Sequence, residues 1–183
     1  MELNLYWTTL GVGAAMLVLG LLFAGKFIYW ERALKNFGRS QLATYAVFGA
    51  ALVCFIWILA HLGEADFGEY KGWLMVLFGL IGLLSLYYVP DFLSVRGLSI
   101  LGLIGSSHAL DTAYMQPEQA RLWLVGIVYA WIVFCIVMGA LPYLWRDLWN
   151  WVYAETLRVR LAGVFMLGYG AWLIAVSILY LRA

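Results

Sequence analysis

The chain contains two histidines, and each is followed three residues later by a carboxylate: His61 with Glu64, and His108 with Asp111. On a helix that spacing puts both side chains on one face. If the two pairs stood on neighbouring helices, two imidazoles and two carboxylates would suit zinc or another divalent transition metal. Each carboxylate would either ligate or orient an imidazole. The imidazoles alone could instead clamp a b-type haem axially. The plainer chemistry is local, a histidine and a carboxylate hydrogen-bonded at a helix end, with the imidazolium favoured by the helix C-terminus. Cys54 lies seven residues before His61, where the same helix face would extend a site inward. Otherwise Cys54 and Cys135 read as thiols inside apolar runs, without a Cys-x-x-Cys motif.

The elements that would carry these pairs are strongly apolar. Of 183 residues, 66% are hydrophobic and 11% charged, and the mean hydropathy is +0.91. Water-soluble domains run nearer half apolar and a quarter charged. The expected class is an all-α integral membrane protein, one polytopic domain over residues 1–183 with about six transmembrane helices. Apolar runs of spanning length cover approximately 6–29, 42–62, 72–89, 95–112, 122–144 and 160–181. The fourth is the weakest, being short and carrying Ser99, Ser106, Ser107 and His108. The amino terminus lacks the positive region of a signal peptide, so the first helix is expected to be retained.

Lysine and arginine test the topology, because cytoplasmic loops carry their excess. Six spans put Lys26, Arg32, Lys35, Arg39, Arg96, Arg146, Arg158 and Arg160 on one side, against Lys71, Arg121 and Arg182 on the other. Without the fourth span the division weakens to seven against four. The expectation is a bacterial inner (plasma) membrane protein with both termini on the periplasmic side and both histidine pairs at the outer surface. A net charge of +1 offers no field to recruit nucleic acid. The outer carboxylates Glu64, Asp66, Glu69, Asp111 and Glu118 read as solvated loop charge.

Two inner linkers have helical periodicity of their own. Trp30, Ala33, Leu34 and Phe37 form one apolar stripe opposite Glu31, Arg32, Lys35 and Arg39; Trp145, Leu148, Trp149 and Val152 form another opposite Arg146, Asp147, Asn150 and Glu155. Such segments are expected in the headgroup plane, apolar side down. A weak repeat of exit residue, interfacial segment, basic residue and glycine-bearing span suggests three tandem helical hairpins joined by these amphipathic linkers. Glycines in the first, third and sixth runs imply close helix packing, while Thr44, Ser85, Ser99 and Ser177 read as interhelical hydrogen bonds or small-residue contacts.

No charged residue falls at mid-depth in any span, which disfavours a pump or proton-coupled carrier. No nucleophile motif, phosphate loop or zincin helix is present. The leading expectation is a non-catalytic accessory, scaffold or assembly subunit, embedded in the lipid bilayer and associating with other membrane proteins or with itself. The alternatives are a metal- or b-haem-binding redox protein using His61 and His108, and a carrier or channel for a neutral small solute.

Overall fold

A computed structural model describes residues 2–25, 28–63, 68–117 and 119–180. The regular elements among them are helical: α1 (Glu2–Ala24), α2 (Ile28–Asn36), α3 (Gln41–Ala60), α4 (Lys71–Tyr88), α5 (Leu93–Ala113), α6 (Arg121–Ala140), α7 (Tyr143–Ala154) and α8 (Thr156–Leu179). All but α2 and α7 are long and apolar enough to cross a membrane. The expected ends shift where hydropathy and helix geometry disagree. Ile28 and Tyr29 are apolar enough to prolong the first run, yet they open α2. Residues 141–144 are apolar too, but α6 stops at Ala140, and Leu141 turns away at φ −124°, ψ 68° because a residue preceding proline avoids the helical region.

The most extensive helix contact joins the two ends of the chain. α1 and α8 run antiparallel, and glycines spaced by seven residues on each helix meet in register: Gly13 opposite Gly170, and Gly20 opposite Gly163. A Cβ on Gly170 would stand 2.8 Å from the Gly13 carbonyl oxygen, and one on Gly20 would stand 2.9 Å from the Leu167 nitrogen. Backbones this close make dispersion and packing the cohesive force between helices that lipid would otherwise separate. Near the Leu5 end of this seam Thr9 is fully buried, and its hydroxyl has no hydrogen-bond partner among the described residues.

The centre of the bundle is α5. It packs on α6, α3 and α1 and on the 3₁₀ turn Phe37–Arg39. Its mean hydropathy of 1.2 is the lowest of the six spanning helices, yet its buried share of 39% is the highest. The two facts have one cause: a helix surrounded by protein needs small residues for close approach more than it needs apolar ones for lipid. Gly97 lies against the Phe48 backbone, in a π turn (Thr44–Phe48) that forms the part of α3 packed on α5. Gly102 lies against Cys135 and Trp131. Helix α4, by contrast, packs chiefly on α3, and only 6% of it is buried.

This arrangement differs from three hairpins joined through the inner linkers. Helices consecutive through those linkers, α1 with α3, α4 with α5 and α6 with α8, pack less than α1 with α8, α3 with α4 and α5 with α6. The interposed linkers carry helices or turns of their own, which separate the spans they join. The serines differ from expectation as well. Ser85, Ser99 and Ser177 donate to carbonyls three or four residues back on their own helices, at 2.7, 3.1 and 2.8 Å, rather than across an interface. Ser99 is also a small-residue contact, packed beside Gly139.

Candidate functional site at the linker end

Three chain segments far apart in sequence are tied together at one end of the bundle. The Trp145 indole N–H on α7 donates to the Leu34 carbonyl on α2 at 2.8 Å. The Ser94 hydroxyl on α5 donates to the Phe37 carbonyl at 2.7 Å, and the Phe92 amide donates to the Gly38 carbonyl at 2.9 Å. Phe92 reaches that position in the left-handed region, at φ 58° and ψ 15°, which costs a residue with a side chain on the order of 1–3 kcal/mol. Its amide bond to Gly38 and the seating of its ring over that buried glycine offset the strain.

The apolar stripes of α2 and α7 do form, and they pack on protein. Trp145 and Val152 are buried. Trp149 stacks on Phe23 with ring centres 5.6 Å apart, and Trp145 meets Phe37 at 5.3 Å. An amphipathic pattern records only that one face avoids water, so it does not distinguish a lipid surface from the end of a helix bundle. Burial and the adjacent Glu31 carboxylate push the Tyr153 phenol up to about 12, and the Lys35 ammonium lies 5.6 Å from the centre of its ring.

Charge at this end divides into two groups. Lys35 pairs with Glu31 at 2.7 Å, Arg146 with Asp147 at 3.0 Å and Arg158 with Glu155 at 2.9 Å. Among the described residues, Arg32, Arg39, Arg96 and Arg160 are in no ion pair, and Asp91 is the carboxylate at this end that is likewise unpaired. Arg39 instead lies 6.0 Å from the Phe92 ring. Between α2 and the first turn of α3 is an open groove of about 420 Å³, lined by Tyr29, Arg32, Asn36 and Ser40 with apolar floor residues Ala33 and Phe37.

No protein-family model matches this chain, and neither does a curated protein or a solved structure.

The histidine pairs lie elsewhere. His61 caps the C-terminus of α3; its Nδ1 donates to the Trp57 carbonyl at 2.8 Å, and its ring lies 4.4 Å from the Trp57 ring. Because a carbonyl only accepts, that bond places a proton on Nδ1. Glu64 lies outside the described residues. His108 and Asp111 are both exposed on α5, and neither an ion pair nor a hydrogen bond joins them. Among the described residues no three histidine, cysteine, aspartate or glutamate side chains come together as a metal-binding group, so His61, His108 and Asp111 do not converge. Cys54 is exposed on α3, and Cys135 is buried against α5.

The linker junction was not legible as a site. Pro90-Asp91 signals a turn and Ser40 an N-cap, and the Ser40 hydroxyl does accept from the Ala43 amide at 3.3 Å. Neither signal says that the two turns meet. We predict that Ser94→Ala removes a fully buried hydroxyl bond and costs about 1 kcal/mol. Hydrogen exchange of the Phe92 amide should then accelerate while exchange in the middle of α8 is unchanged; equal acceleration of both would mean that Ser94 is not a local tie.

Proposed function

We propose that the chain is a non-catalytic subunit of a bacterial inner-membrane complex, with both termini on the periplasmic side, and that α4 is the helix by which it joins another membrane protein. The supporting observation is the isolation of α4. The other five spanning helices have 22–39% of their residues buried, against 6% for α4. Trp73, Leu77, Leu80 and Leu84 are all more than half exposed. Gly72 and Gly79 on this helix have open space where a Cβ would stand, and their seven-residue spacing repeats that of the α1 and α8 glycines. A transmembrane helix of the partner therefore has room for the same close backbone approach.

Photo-reactive residues placed at Leu77, Leu80 and Leu84 in intact cells test this reading, with Val164 on α8 as a lipid-facing control. The expected result is one recurrent protein adduct from the α4 positions, absent from position 164 and abolished by Gly79→Leu, whose Cβ would stand in open space, more than 4 Å from the rest of the chain. Absence of any protein adduct from all three positions, or an adduct indifferent to Gly79→Leu, would refute it. An adduct consisting only of a second copy would replace the accessory-subunit reading with self-association.

A further inference from the structure

The groove between α2 and α3 fits the headgroup of an anionic phospholipid, and we propose that it is a site for one. Arg32 supplies a guanidinium with no carboxylate partner, beside donors from Tyr29, Asn36 and Ser40. A planar guanidinium grips two oxygens of a phosphodiester at once. Among the described residues no carboxylate lines the groove, and the nearest in sequence, Glu31, is engaged by Lys35 at 2.7 Å. The groove opens beside the first turn of a 20-residue helix, whose dipole adds to the positive potential. Leu42 and Tyr45, 81% and 63% exposed on that same part of α3, give an acyl chain an apolar track leading away from the phosphate. The unpaired Arg39 lies close by in sequence, so the local field favours an anionic lipid over a zwitterionic one.

The test is native mass spectrometry of the full-length protein in mild detergent, with added palmitoyl-oleoyl phosphatidylglycerol, the phosphatidylcholine of the same chains, or inorganic phosphate. Phosphatidylglycerol should bind in preference to phosphatidylcholine, and Arg32→Gln should weaken it about tenfold, the worth of a charge-assisted hydrogen bond. Arg158→Gln, at an arginine paired with Glu155, should leave binding within about twofold. Equal binding of the two lipids, or equal losses in both variants, overturns the assignment. Displacement of phosphatidylglycerol by inorganic phosphate would show a site for free phosphate and would equally overturn the lipid. Arg32→Lys keeps the charge but not the two-oxygen grip, and should fall between wild type and Arg32→Gln; binding as strong as wild type would overturn the guanidinium as the group that holds the phosphate.

Discussion

Trp145→Ala is expected to lower stability by about 3–5 kcal/mol, the usual cost of truncating a buried tryptophan. Trp145 is 5% exposed and sits where α7 meets α2, close to the ends of α5 and α6. Val95 and Met138 form one buried cluster with it, and its ring also meets Trp149 at 5.4 Å and Phe134 at 6.4 Å. Its N–H bond to Leu34 adds a polar tie that no aliphatic side chain reproduces. Trp145→Phe retains most of the ring contact and loses the donor, so its expected cost is nearer 1 kcal/mol. The midpoint of thermal unfolding in detergent should therefore rank wild type above Trp145→Phe and Trp145→Ala lowest. An alanine variant that melts with the wild type would mean that α7 is not docked on α2.

The second large effect reverses the ordinary sign of a substitution. Replacing glycine by alanine inside a helix normally favours the helix by roughly 0.8–1 kcal/mol. At Gly170 the added methyl would stand 2.8 Å from the Gly13 oxygen and 3.0 Å from the Leu17 nitrogen. These are backbone atoms and cannot rotate aside, so α1 and α8 must separate along the seam. Overpacking of this kind costs about 1–3 kcal/mol, and Gly170→Ala should lower the unfolding midpoint. Gly168, two residues earlier on the same helix, meets nothing within 4 Å. Gly168→Ala should leave the midpoint unchanged or raise it. Shifts of the same sign and size at both positions would contradict the register in which Gly170 faces Gly13.

Much of the architecture was legible in composition and period. Six helices long and apolar enough to cross a membrane follow from runs of apolar residues, because a backbone in hydrocarbon must satisfy its own hydrogen bonds. The short helices α2 and α7 follow from apolar residues at helical spacing between charged ones. The fourth run was the least secure as a span because it is short and carries Ser99, Ser106, Ser107 and His108; two of these, Ser99 and Ser106, are buried with Ser94 and Gly97 where α5 packs on its neighbours, and Ser107 and His108 are exposed. Hydropathy records how a residue meets solvent, not which protein surface replaces it.

The candidate site shows the same boundary. The spacing of His108 with Asp111 places that pair on α5, but α3 ends at Ala60 with His61 as its C-cap, so the three-residue spacing to Glu64 does not continue on that helix. His61 is taken up by its own helix through the Trp57 carbonyl, and His108 stands exposed on another. The groove gathers Tyr29, Arg32 and Asn36 from α2 with Ser40 at the start of α3; each residue is unremarkable in its segment, and only the angle between the two helices makes them a set. The sequence by itself determined the existence and order of the helices and the faces that avoid water, since those depend on chain-local period and transfer energy. Tertiary structure alone decided that the two chain ends pair through Gly13 with Gly170 and Gly20 with Gly163, that α5 lies inside and that α4 stands apart. Those outcomes turn on which backbones approach within van der Waals contact, a property of pairs of surfaces that no single segment records.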